Sequence, residues 1–270
     1  MEWYKLVFKQ NQPIHVGSAK WGVVKETEIF IPGSTMWGAL TNAYLQKKGL
    51  NGNSIDEINK KFETISNFFP SFDKNIPLQP AYQKGEFGYL YKENFIPEDK
   101  FRFYFVDTLV QTAIEPISRQ AKDESLHELD YILPKPKQKL EYFKDNLYWI
   151  GIIKINDELV SFLKNIFVGA DVRYGYGELE LIECTPLESN DKIFWWVEDG
   201  IKIKKDKFSP YFVEMQDGQE IEGEIILIPD FDFRENMPKV KNASFFANIG
   251  SKIKSKKNDC FLKKGKIILE

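Results

Sequence analysis

The chain has 270 residues, 43% of them hydrophobic and 15% aromatic, which excludes disorder, coiled coil and collagen and allows one large or two modest domains. Its 37 Lys and Arg against 40 Asp and Glu give a formal charge of -3, so a polyanion site must be a local patch rather than a property of the whole molecule. Cys184 and Cys260 lack C-x-x-C spacing, the start of the chain has no basic-then-apolar leader, and no run reaches about 18 apolar residues; a reduced, cytoplasmic protein with no membrane partner is expected.

In chain order, residues 3–9 are rich in β-formers and predict an opening strand. Residues 28–31 run into Pro32-Gly33-Ser34, where Ser34 or Thr35 can cap a helix over 35–48 that closes at Lys47, Lys48 and Gly49. A short helix is expected near 55–66, then a long irregular insertion spanning about 50–145, interrupted by a strand at 101–106. Residues 147–155 predict a buried strand, Asp157 caps a helix to Phe167, and a strand at 178–183 follows a glycine-rich loop. Strand, helix and strand, given twice, predict an α+β ferredoxin-like domain over 1–185. Residues 186–270 predict a smaller, mostly-β accessory region, with a hairpin over 194–204 turning on Asp199-Gly200 and a strand at 221–228.

Two motifs point to anion chemistry. At 29–40 a strand passes through Pro-Gly-Ser into a helix whose first N–H groups are unpaired and whose dipole favours a phosphate, although an ordinary helix cap explains the same residues. At 168–179 glycines 169, 175 and 177 surround Arg173; the loop follows a helix and opens a strand, so it is not a dinucleotide fingerprint. Gly169, Gly175 and Gly177 allow close backbone approach, Arg173 can pair with phosphate, and Tyr174 and Tyr176 can stack on bases. A purely structural connection is the alternative.

Together with Pro13-Ile14-His15-Val16-Gly17-Ser18, Gly38-Ala39-Leu40 and, less specifically, residues 117–129, these motifs match in content and order the RAMP superfamily of CRISPR-associated proteins, which residues 1–183 resemble. The resemblance implies a ferredoxin-like RNA-recognition fold and a place in a type III CRISPR effector, with CRISPR guide RNA and other effector subunits as partners and the glycine-rich loop near the guide backbone. Backbone-forming subunits of such complexes are expected to carry an RNA-cutting Asp in the loop after the first strand, whereas Gly17 to Thr27 holds none. A non-cutting subunit similar to those that cap the guide's 5′ handle is therefore expected, with Lys20 and Lys25 of that loop suited to phosphate.

His15 and His127 are the only histidines. Some RAMP relatives process guide precursors without metal, so the enzyme alternative is an endoribonuclease with His15 as general acid or base; His127 reads as a partly buried or surface residue. A third possibility is a protein-only scaffold. Asp230 and Asp232 would share a face of an extended strand, but a solvated turn is preferred to a metal pair, and no metal or other cofactor is expected. Phe101, Phe103 and Phe105 alternate and read as core packing from a strand. From Lys252 to Lys266 seven lysines face one Asp, as an RNA-channel patch or as a solvated tail.

Overall fold

A computed structural model describes residues 1–50, 54–141, 143, 145–232, 237–254 and 260–269. Its central sheet has five strands in the order Asn165–Phe167, Glu178–Pro186, Glu2–Gln10, Tyr148–Ile155 and Phe69–Ser71, every pairing antiparallel. The opening strand lies in the middle, and its Leu6, Val7 and Phe8 are fully buried. Tyr148–Ile155, a nearly unbroken apolar run, lies beside it and is buried along almost its whole length, as a strand covered on both faces must be.

The opening strand leads through the helix Gly33–Lys48 to Phe69–Ser71, skipping over Tyr148–Ile155; that strand leads through a 3-10 turn, Asp157–Phe162, to Glu178–Pro186, skipping over the opening strand. Two interleaved strand-helix-strand crossovers define the ferredoxin-like α+β fold.

Several local expectations are corrected. The second strand of the domain is Phe69–Ser71, because residues 98–105 are a helix, Glu98–Phe105. Pro97 precedes it, Glu98 and Asp99 occupy its first turn, and Arg102 closes on Glu98 at 2.7 Å, all of which favour a helix over the alternating pattern. Phe101 and Phe105 then stack one turn apart at 5.0 Å between centroids in the core, and Phe103 is 55% exposed. The helix expected over 157–167 is only a 3-10 turn, with Asn156 rather than Asp157 at its cap; the Asp157 carboxylate instead accepts the Tyr4 hydroxyl, whose pKa is pushed up to about 12 chiefly by that bond.

The first helix begins at Gly33, not at a Ser34 or Thr35 cap, and its N-cap residue, Pro32, supplies no side-chain hydrogen bond. The Gly33 N–H is taken by the buried Asn67 carbonyl at 2.9 Å, while the Asn67 amide donates to Pro210 O at 3.0 Å and Gly265 O at 3.1 Å. The helix expected near 55–66 is Ile55–Lys61, held by a Ser54–Glu57 capping box. The region expected to be irregular carries a three-stranded sheet over 79–97 and the strands Val106–Gln111 and His127–Ile132.

Past residue 186 the chain forms the helix Ser189–Phe194, with Val197 and Ile201 bridging around the expected Asp199-Gly200 turn. The strand expected at 221–228 is split at Gly223 into Ile221–Glu222 and Ile225–Asp232. The main C-terminal sheet has five strands and shares the hydrophobic core, with Phe30 against Phe212 and Phe69 stacked on Trp195, each at 5.9 Å.

Candidate nucleic-acid interface

The glycine-rich loop closes on itself and then onto the segment after the first strand. Val168 N–H donates to Gly177 O at 3.0 Å, Gly177 N–H to Pro13 O at 2.8 Å, and Ala170 N–H to His15 O at 2.9 Å. These contacts need two of the glycines. A Cβ on Gly169 would stand 2.1 Å from His15 O and one on Gly177 would stand 2.2 Å from Val168 O, and both have positive φ, +79° and +88°. Gly175, also at φ +88°, faces open space. The glycines thus divide: 169 and 177 close the neck, and 175 leaves bare backbone at the tip.

The tip is the short turn Val172–Tyr174, entered through Asp171 and left through Gly175, both left-handed. It presents Tyr174, 80% exposed, beside Arg173, also exposed. Among the described residues Arg173 has no carboxylate at ion-pair distance. Tyr176 is buried and packs edge-on against Tyr131 at 5.7 Å, so the expectation that either tyrosine stacks on a base narrows to Tyr174.

His15 and Val16 anchor a second exposed element on the same segment. Val16 O accepts Glu28 N–H at 2.7 Å, and Thr27 Oγ1 accepts Val16 N–H at 3.0 Å. From that base rises a hairpin, Gly17–Trp21 and Val24–Thr27, where the sequence led us to expect a loop. It joins Val106–Gln111 and His127–Ile132 in a four-stranded sheet. Lys20 lies directly opposite Lys25, an arrangement of like charges that an anion would relieve. Trp21, 67% exposed at the turn, was missed by sequence reasoning; its signal is the large ring beside Gly22, whose positive φ makes the turn.

His15 itself is 4% exposed, and since a carbonyl only accepts, its Nδ1 donates to Asp130 O at 2.7 Å. It is the shared root of loop and hairpin. His127 is half-buried between Ser125 O at 3.0 Å and Gln111 Oε1 at 3.2 Å.

The other candidates lie elsewhere. Ser34 and Thr35 line a separate cavity with Phe212, Lys264 and Lys266. Asp230 belongs to that cavity too; among the described residues no cluster of His, Cys, Asp or Glu is arranged to hold a metal. Where the lysine run is described its side chains have partners within the protein: Lys252 and Lys254 bind Glu222 at 3.0 and 3.1 Å, Lys263 meets Glu63 at 3.7 Å, and Lys264 covers the Trp37 ring at 3.3 Å. Lys256 and Lys257 lie outside the described residues. Among those residues no helix is long and apolar enough to cross a membrane.

A family model described as the RAMP superfamily matches residues 10–180. No curated protein matches the chain. Among solved structures, one chain of the cryo-EM structure of Type III-B Cmr-beta bound to cognate target RNA and AMPPnP superposes with TM-score 0.63 at 14% identity, over 93% of this chain and 86% of that one. A chain of the crystal structure of the Csm3-Csm4 subcomplex in the type III-A CRISPR-Cas interference complex superposes with TM-score 0.50 at 15% identity, over 99% of this chain and 98% of that one. At these identities the likeness is one of fold.

Proposed function

The chain belongs to the RAMP superfamily, and on that premise we propose that it is a non-cutting, guide RNA-binding subunit of a type III CRISPR effector. The fold it shares with chains of the Cmr-beta and Csm3-Csm4 structures supports a place in such an assembly. The observation that carries RNA contact is the common root at residues 13–17: one short segment fixes both the glycine-loop tip and the lysine-bearing hairpin. Arg173, Lys20 and Lys25 neutralise phosphates, bare backbone at Gly175 permits close approach, and Tyr174 and Trp21 offer ring faces to bases. Backbone contacts of this kind carry no sequence information, which base pairing by the guide supplies.

His15 serves this reading as a positioning residue. An acid-base role in RNA cleavage needs an imidazole that reaches the ribose, and 4% exposure with Nδ1 committed to Asp130 O favours the structural role. The expected contacts to other subunits draw support from the C-terminal sheet, where Leu227 faces Phe245 across the ladder and both side chains are exposed; exposed apolar side chains of this kind suit a protein interface.

The test is binding of labelled CRISPR repeat RNA at several salt concentrations. Arg173→Ala is expected to weaken binding and to reduce the slope of log affinity against log salt by about 0.7 for one single-strand phosphate contact. An unchanged slope and affinity would move the protein to the scaffold class, and metal-free cleavage that His15→Ala abolishes while leaving RNA binding intact would establish the endoribonuclease.

A further inference from the structure

Between the start of the first helix and the C-terminal sheet lies a cavity of about 490 Å³, within the size range of small-molecule sites. Next to its lining residues Ser34, Lys264 and Lys266 the chain packs so closely that only glycine fits at positions 33 and 265. A Cβ on Gly33 would stand 2.4 Å from Gly265 N, and one on Gly265 would stand 2.1 Å from Asn67 Oδ1. Asn67 bridges the two glycines and so brings the first turn of the helix against the turn that carries Lys264 and Lys266.

The two walls differ in chemistry. On one, Lys264 sits over the Trp37 ring at 3.3 Å and Lys266 lies 5.6 Å from the Phe246 centroid; Ser34 and Thr35 line the same cavity. Burial holds both lysine pKa values below the ordinary range, more than Asp230 offsets, so these are partly desolvated cations whose charge an anion would stabilise. The helix start adds no competing charge, having no acidic residue in its first turn. The other wall is apolar, built from Ile228, Pro229, Phe212 and the exposed Phe231, with the Asp230 carboxylate among them.

We propose that this cavity binds a nucleoside 5′-phosphate moiety, its phosphate on Lys264, Lys266 and the hydroxyls of Ser34 and Thr35, its base on the Phe231 wall. Asp230 accepts a hydrogen bond from a ribose hydroxyl or an exocyclic amine. Inorganic phosphate alone leaves the apolar wall unused, and a nucleoside without phosphate leaves the two ammonium groups unpaired. The site shares no residue with the glycine loop or the hairpin and stands whether or not they hold guide RNA. The moiety has two possible sources, a free mononucleotide or the 5′ end of an RNA.

The experiment is calorimetric titration of the whole chain with adenosine 5′-monophosphate, inorganic phosphate, adenosine, and an octaribonucleotide with and without a 5′-phosphate. The monophosphate is expected to bind about tenfold or more tightly than adenosine or phosphate, and Lys264→Ala to cost about tenfold or more. Ser34→Asp places a carboxylate in the first turn, which favours the helix, so its expected loss of binding cannot be ascribed to misfolding. Tighter binding of the 5′-phosphorylated octamer than of the monophosphate assigns the site to an RNA end, and the reverse order assigns it to a free nucleotide. The proposal is overturned if neither binds at millimolar concentration, or if both bind the Lys264→Ala and Ser34→Asp proteins as they bind the wild type.

Discussion

The carbonyl oxygen of His15 occupies the space that a Cβ on Gly169 would need, 2.1 Å from its position. The same oxygen accepts the N–H of Ala170 at 2.9 Å, so loop and first-strand segment meet backbone to backbone. Gly169→Ala must both adopt a positive φ and displace that contact. We expect it to cost at least about 2 kcal/mol and to weaken RNA binding, whereas Gly175→Ala, in open space, pays the conformational cost alone, about 1 kcal/mol. Chemical denaturation of the two variants side by side checks the order.

Tyr174 and Tyr176 separate by exposure, 80% against 9%. Tyr174→Ala is expected to leave stability within about 0.5 kcal/mol and to weaken RNA binding by about 1–3 kcal/mol if a base stacks there. Tyr176→Ala removes the edge contact with Tyr131 and is expected to lower stability by about 3 kcal/mol. Melting curves paired with RNA titrations distinguish the two; equal effects of both on stability would contradict the assignment.

These tyrosines also show where the sequence is legible. Glycines at 169, 175 and 177 around Arg173 identify the loop, and alternate spacing suggests that both rings point outward. The positive φ at Asp171 and Gly175 turns the backbone between them, so one ring goes out and the other in. The ferredoxin-like crossover was readable from the strong apolar strands 3–9 and 147–155. Its second strand was not, since Phe69–Ser71 has three residues and no periodicity to detect. The Asn67 bridge rests on contacts to Gly33 and Gly265, far away in the chain, and no local pattern announces such a residue.

Asn67 makes three buried hydrogen bonds with one side chain. Asn67→Ala removes the partner of the Gly33 N–H and of the Pro210 carbonyl, while Gly265 O keeps the N–H of Phe212 at 3.2 Å, and we expect a loss of about 3 kcal/mol, read by thermal or urea unfolding. Because the residue joins the first helix to the C-terminal sheet, the variant should also weaken binding at the Lys264 cavity.

Glu28 provides a pH signature. Burial pushes its carboxyl pKa up, against the opposing hydrogen bond from Ser18 and the charge of Arg102. A carboxyl raised in the folded state contributes stability below the ordinary carboxylate range and loses it as pH rises through the raised value. Glu28→Gln is therefore expected to match the wild type near pH 4 and to gain on it toward pH 7, as urea unfolding at both pH values will show. A gain that shrinks with rising pH would contradict the assigned cause.

At the hairpin, Lys20 faces Lys25. Lys20→Thr removes a like-charge pair and is expected to raise stability by a few tenths of a kcal/mol while weakening RNA binding, a trade that marks a binding residue rather than a structural one. Denaturation and RNA titration of the same preparation measure both sides of it.

The most direct test of the central claim is ultraviolet crosslinking of the assembled ribonucleoprotein, with the attached peptides sequenced. Guide RNA held at the common root predicts crosslinks at Tyr174 and Trp21, on peptides covering 171–176 and 17–25. Crosslinks confined to other parts of the chain, with both peptides recovered unmodified, would contradict it.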